Sequence, residues 1–306
     1  TAGGGGDGYP LLDAVMRVLE AEPDPPFKAV FVSGPFMPQP ERQDLARRAR
    51  RTTARFHHFF RRMERLFDAA DAVVSMGGYN TVCEILSLGT WGCNFKCDFC
   101  QNWQISQQRA ATQHLTSEAA VALAQQRSSV GIAYTYNEPT VWFEYVLDTV
   151  TLARDAGLKN VLVTNGYIRP APLARLLDAG VDAMNIDLKS FREAFYAKHA
   201  KGHLAPVLET IREASRRCHV ETTTLLLPGE NDSAEEMAEL RDWLAENVGP
   251  EGPVHLSAYF PQYQCRTPAT PLESLMRSRD ILRQKLRFVY LGNVMAAGAG
   301  NTTCPG

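Results

Sequence analysis

The 306-residue sequence has no apolar run approaching the roughly 18 residues that a transmembrane helix requires. It also lacks an excess of charge of one sign. Lys and Arg (32) nearly balance Asp and Glu (34), so bulk charge gives no case for a nucleic-acid or membrane-surface partner. Cysteine is scarce: seven residues are too few for a disulfide scaffold. No signal peptide opens the chain, and Thr1 followed by Gly3-Gly4-Gly5-Gly6 is not a translation start, which reads as truncation at the N-terminus. No segment repeats with a fixed period, and low complexity is confined to the opening glycines. These absences leave a soluble, cytoplasmic, mixed α/β chain, whose length is a prior for two domains at about 150 residues each.

Apolar runs of strand length alternate with longer stretches of helical period. Candidate strands are 28–33, 71–76, 130–136, 160–164, 183–188, 220–227, 254–260 and 288–291, all rich in β-branched residues and bounded by turn formers. Candidate helices include 11–21, 139–156, 172–179, 206–217 and 233–247. Thr116 or Ser117 precedes Glu118 as a start signal, and Ser233 with Glu236 forms a capping-box pattern. Such alternation predicts a parallel sheet with crossover helices. One stretch departs from the charge balance: residues 42–65 hold nine arginines against Asp44 and Glu64. A basic groove for phosphate or nucleic acid is one reading, but no regular aromatic spacing suggests base stacking, so a solvated helix face and loop is preferred.

Three of the seven cysteines fall within eight residues, as Cys93, Cys97 and Cys100 with C-x3-C-x2-C spacing. Three thiolates on one short loop can hold three corners of an iron–sulfur cube, whereas a closed cluster normally takes four. A missing fourth ligand leaves one iron open to chemistry. A zinc site would need a Cys or His pair at C-x2-C or H-x3-H spacing nearby, and no neighbouring pair supplies one. The redox-cluster reading therefore leads, with zinc or a structural thiol loop as alternatives. Cys218 and Cys265 read as ordinary buried or edge thiols, and His255 as either a hydrogen-bonded strand histidine or a catalytic one.

Residues 89–107, from Gly89-Thr90-Trp91-Gly92-Cys93 through Cys100-Gln101-Asn102-Trp103, resemble the signature of radical S-adenosylmethionine (SAM) enzymes. More closely, the chain is similar to the pyruvate formate-lyase-activating-enzyme-like branch called AmmeMemoRadiSam over about residues 89–305. Tyr136-Asn137-Glu138-Pro139 stands where that family has Gly-Gly-Glu-Pro. Thr164-Asn165-Gly166, Asp187-Leu188-Lys189 and Leu227-Pro228-Gly229-x-Asn231-Asp232 follow in the family's order. The resemblance implies a partial (β/α)6 barrel and a [4Fe-4S] cluster on Cys93, Cys97 and Cys100. It further implies reductive cleavage of SAM to a 5′-deoxyadenosyl radical, with electrons from a flavodoxin or ferredoxin. Asn137, Glu138 and Pro139 would lie along the SAM amine, with Thr164 and Asn165 completing that site. Asp187 and Lys189, two residues apart at one strand end, would serve the SAM carboxylate, a bound cation or the substrate, either a protein glycine or a small molecule, with a plain salt bridge at the strand end as the alternative. Glycyl-radical activases carry a cation-binding aspartate before Thr-Asn-Gly; this chain has Val163 there. Cys304 lies in a segment that in relatives continues to a further Cys-Gly.

Residues 1–89 resemble something else. The glycine-rich opening with Gly4 and Gly5, and a second turn at Gly77-Gly78 leading to Thr81 and Glu84, are similar to the donor-binding, Rossmann-like half of a MurG-like GT-B glycosyltransferase. This implies nucleotide-sugar binding or glycosyl transfer as a rival function. The expected domains are thus 1–89 and 90–306. The join is contradictory: the glycosyltransferase pattern wants 81–88 as a helix, while the radical-SAM pattern wants 85–90 as the first barrel strand. Ser87-Leu88-Gly89-Thr90 fits both local patterns, which suggests a chimeric chain with a poorly specified boundary near residues 80–92.

Overall fold

In the computed structural model the described residues are 9–22, 25, 27–33, 37–58 and 85–294. Gly4, Gly5, Thr81 and Glu84, the strand expected at 71–76, Cys83 and Cys304 lie outside them. The chain divides into two compact units, with the boundary between Glu84 and Ile85.

In the first unit, helix α1 (Tyr9–Ala21) precedes strand β1 (Val30–Val32), helix α2 (Gln39–Ala49) and strand β2 (Arg55–His57). The two strands pair in parallel. Leu12, Met16 and Leu19 recur at helical spacing and bury with Phe31, Met37 and Leu45. The basic stretch is partly neutralised by this packing: Arg48 reaches Asp13 (2.6 Å), Glu20 (2.7 Å) and Asp44 (3.3 Å), and Arg47 pairs with Asp44. β2 was not apparent in the sequence, because Arg55-Phe56-His57 lies inside the arginine run.

The second unit is built on β3 (Ile85–Leu88), β4 (Gly131–Tyr134), β5 (Lys159–Thr164), β6 (Ala183–Asp187), β7 (His219–Leu226), β8 (Val254–Ala258) and β9 (Val289–Gly292). Between them run α3 (Ser117–Gln126), α4 (Phe143–Asp155), α5 (Pro170–Ala179), α6 (Leu204–Ala214), α7 (Ala234–Asn247) and α8 (Leu272–Leu282). All seven strands are parallel and hydrogen-bonded in sequential order. In a parallel sheet of strictly sequential order, crossovers that follow the right-handed rule carry the crossover helices on one face, which leaves the other as the concave interior of a partial barrel. Seven strands stand where six were expected. The burial alternates accordingly: Leu162, Met184, Ile186, Val220, Leu226 and Leu256 are buried, while Asn185, Asp187, Glu221, Thr223, His255 and Tyr290 between them are half-buried.

Residues 85–88 resolve the conflict at the join, since they pair residue for residue with Gly131–Tyr134 as a strand rather than continuing a helix. The sheet thus begins five residues before the expected 89/90 boundary. Helix ends follow the sequence closely. Thr116 caps α3 by accepting from Ala119 N (3.2 Å), and Ser233 caps α7 by accepting from Glu236 N (3.2 Å). The capping box is only half formed, because the buried Glu236 carboxylate turns to the Ser190 hydroxyl (2.5 Å) and Phe191 N (2.7 Å) instead.

Candidate functional site

The cysteine loop follows β3 at the C-terminal mouth of the sheet. Phe95 and Phe99 alternate with the cysteines and are buried, Phe95 against Tyr167 (ring centroids 4.8 Å) and Tyr196 (5.9 Å), Phe99 against Phe195 (5.7 Å). Gly202 makes room for the first of these rings, since a Cβ there would stand 2.3 Å from Phe95. The backbone is tied down from outside the loop. Lys96 N donates to Ala200 O (3.0 Å), Asp98 N to His199 O (3.1 Å), and Gln264 N and Cys265 N both donate to Asp98 O (2.9 Å each). His199 is buried between two carboxylates, with Nδ1 3.0 Å from Asp98 and Nε2 3.0 Å from Glu230. Sequence reasoning missed this clamp, whose two hydrogen-bonded pairs join residues 101 and 31 positions apart.

Cys93, Cys97 and Cys100 are free thiols; Cys97 is buried and the other two half-buried. Burial pushes the Cys93 thiol up to about 11 and that of Cys97 up to about 12; the Phe95 N–H and Lys189 oppose this at Cys93, and Lys189 opposes it at Cys97. Thiolates here need compensating positive charge, which is what cluster irons supply. Among the described residues no three Cys, His, Asp or Glu side chains are arranged around a single metal ion. Three ligands for three corners of a cube do not need such convergence. The donor set therefore fits an iron–sulfur cluster.

Around Cys93 the strand ends meet. Asn165, just after β5, directs Nδ2 to Cys93 Sγ (3.5 Å) and Asn94 Oδ1 (2.7 Å). Glu138 is fully buried and its carboxylate accepts four hydrogen bonds, from Thr140 N (3.1 Å) and Oγ1 (2.9 Å), Thr164 Oγ1 (2.8 Å) and Asn165 N (2.8 Å). Burial raises its carboxyl above the ordinary range, and these donors pull it back. The side chain expected along SAM is thus occupied in joining the β4 loop to β5, as is Thr164. Pro139 begins a short 3-10 turn, Pro139–Trp142, for which Glu138 is the cap. Asn137 Nδ2 is buried with no partner among the described residues, a donor left for a bound group. Tyr136 adopts φ +29°, backbone that favours glycine, which accounts for the resemblance to Gly-Gly-Glu-Pro. Gly89 permits the close approach opposite: a Cβ there would fall 2.3 Å from Tyr136 O.

Asp187 and Lys189 form an ion pair (2.8 Å) at the end of β6. Burial alone would lower the Lys189 ammonium, but Asp187 and the Cys97 thiol raise it, so it stays charged beside the cysteine loop. Asn231 is buried and secures this strand end, donating to Lys189 O (2.7 Å) and Leu225 O (3.0 Å) and accepting from Leu227 N (2.7 Å). Deeper on the concave face the register sets Asp187, Thr223, His255 and Tyr290 in one row and Asn185 beside Glu221 in the next. Of these only Asp187 and His255 were singled out from sequence; the alternation of Glu221 and Thr223 with Val220, Thr222 and Thr224 was the available signal.

The model of the Radical SAM superfamily matches residues 88–241, half of the chain. The chain belongs to the radical SAM superfamily. The uncharacterized protein MJ0808 of Methanocaldococcus jannaschii is 40% identical over 228 residues, covering 72% of this chain and 67% of that protein. Biotin synthase of Sorangium cellulosum is 27% identical over 223 residues, covering 70% and 61%. The chain thus spans about two thirds of the length of these curated relatives. Among solved structures, Streptococcus suis SuiB bound to S-adenosylmethionine superposes with a TM-score of 0.55 at 14% identity, over 68% of this chain and 51% of SuiB. That likeness shows the fold alone. Radical SAM proteins are enzymes that use a [4Fe-4S] cluster and S-adenosylmethionine, and these are the cofactors of this chain. Among the described residues no helix is long and apolar enough to cross a membrane.

Proposed function

We propose that the chain is a hydrogen-abstracting radical SAM enzyme with Cys93, Cys97 and Cys100 as the cluster ligands. When bound, the reduced cluster supplies the electron that cleaves SAM to methionine and a 5′-deoxyadenosyl radical able to take a hydrogen atom from substrate. The observation that carries the reading is the hydrogen-bonded junction at Cys93, where Asn165 bonds both Cys93 and Asn94 while its own backbone bonds Glu138. Asn137–Pro139 and Thr164–Asn165 line the SAM side of that junction, Asn137 Nδ2 offering the unpaired donor. Lys189 holds a fixed positive charge there, and Asp187 keeps it oriented. A flavodoxin or ferredoxin is the electron donor, and activating-enzyme-like transfer from a protein glycine is the reaction that the family branch suggests. The barrel domain begins with β3 at Ile85, and the unit before it is Rossmann-like.

Anaerobic reconstitution, reduction and EPR with and without SAM, alongside an assay for 5′-deoxyadenosine, tests the reading. A cubane signal perturbed by SAM, with 5′-deoxyadenosine formed, is expected. A cluster with no SAM response would overturn the assignment of the Asn137–Pro139 loop.

A further inference from the structure

The concave face changes character across the sheet. On β4 and β5 it presents Gly131, Ala133, Val161 and Val163, whereas on β6 to β9 it presents Asn185, Glu221, Thr223, His255 and Tyr290. These five are half-buried rather than packed away. They are joined in pairs: Thr223 Oγ1 donates to Asn185 Oδ1 (2.9 Å), His255 Nε2 lies 2.7 Å from Glu221 Oε2, and the His255 ring stacks on Tyr290 (5.3 Å). His219 also reaches Glu221, at 3.2 Å. The His255 hydrogen bond holds the Glu221 carboxyl below its ordinary range, so Glu221 is ionised and can only accept. Nε2 of His255 therefore carries the proton. Nδ1 has no partner among the described residues, and the side chain is 32% exposed. An imidazole whose Nε2–H is held by a carboxylate and whose second nitrogen is bare presents that nitrogen as an acceptor. The groups facing it are Glu221 and His219 from β7 and Tyr290 from β9.

Charge narrows the ligand. Lys189 is paired with Asp187, so no free positive charge is offered to a carboxylate or phosphate, and each Glu221 oxygen is already taken by a histidine, Oε1 by His219 and Oε2 by His255, which leaves no open carboxylate oxygen for an ammonium. It offers neutral donors and acceptors instead, among them the Asn185 Nδ2 amide, which has no partner among the described residues. We propose that Asn185, Glu221, Thr223 and His255 form the substrate site and that it takes a neutral, polyhydroxylated small molecule, one hydroxyl of which gives its proton to His255 Nδ1. In that step the O–H bond breaks, the electron pair stays on oxygen, and the imidazolium formed is balanced by Glu221; nothing is oxidised or reduced. The inference rests on the hydrogen-abstraction reading above and replaces the protein glycine with a small alcohol as substrate.

The test uses the reconstituted, reduced holoenzyme with SAM and three separate carbon-deuterated probes: glycerol, ribose and N-acetylglycinamide. Deuterium entering 5′-deoxyadenosine from glycerol or ribose is expected, falling about a hundredfold in His255→Gln. Deuterium from N-acetylglycinamide alone, or 5′-deoxyadenosine with no deuterium from any probe, overturns the proposal while leaving SAM cleavage intact. No 5′-deoxyadenosine from wild type would instead overturn the underlying reading. A second readout needs no turnover: imidazole 15N shifts of the full chain, assigned through His255→Gln. The Nε2–H tautomer is expected, since Nε2 faces the Glu221 carboxylate at 2.7 Å. An Nδ1–H tautomer overturns the role of the pair.

Discussion

The two halves of the barrel mouth use similar polar residues to opposite ends. At β4 and β5, Glu138, Thr164 and Asn165 spend their hydrogen-bonding capacity on one another and on the cysteine loop, and the concave face beneath them is small and apolar. At β6 to β9 the polar groups stay half-exposed and the strand end is fixed by another residue, the buried Asn231. The Glu138 carboxylate in the first half is closed off from solvent, whereas Glu221 in the second half stays about a third exposed beside its two histidines. Burial and the count of satisfied partners separate the two, and residue type does not.

Substitutions can break or sharpen that contrast. The largest effect is expected at the loop itself: Cys97→Ser should abolish cluster assembly, seen as iron and sulfide content near background after reconstitution. Glu138→Ala would strip four donors of their acceptor, two of them backbone N–H groups, and should cost about 2–3 kcal/mol in urea unfolding of the cluster-free chain. In the open half, Glu221→Ala should cost far less, within about 1 kcal/mol, because its carboxylate is partly solvated; a loss as large as that of Glu138→Ala would erase the distinction. pH sharpens it further. Glu221 titrates below its unfolded value, so its contribution is present above about pH 4.5 and is lost as pH falls through the folded value. Glu138 is shifted upward, so its contribution is complete below about pH 4.5 and declines as pH rises through its folded value. Urea midpoints followed against pH should therefore move in opposite directions in Glu221→Gln and Glu138→Gln relative to wild type. The smallest effect belongs to neither half: Thr116→Ala removes only the α3 cap and should cost about 1 kcal/mol.

Periodicity located most of the second unit, because its strands alternate cleanly and its helices start at recognisable caps. The first strand was ambiguous for a physical reason: Ile85-Leu86-Ser87-Leu88 is too short for its pattern to choose between periods of 2 and 3.6, and only pairing with β4 decides. The cysteine motif was legible because its chemistry lies in one loop. The Asp98–His199–Glu230 clamp and the Glu221–His255 pair were not, since each joins residues 31 or more apart that carry no mutual signature in the chain. Glu138 stood out in the sequence by its motif, and its side chain joins the β4 loop to the neighbouring strand.

The hydrogen bonds that close the cysteine loop also impose an order of events during synthesis. The loop leaves the ribosome early in the barrel domain, yet its backbone partners are Ala200, His199, Gln264 and Cys265. Until Cys265 has emerged, Asp98 O lacks both of its donors and the loop stays open. The closed form of the loop therefore belongs to a nearly complete barrel, because the donors to Asp98 O arrive only with Gln264 and Cys265.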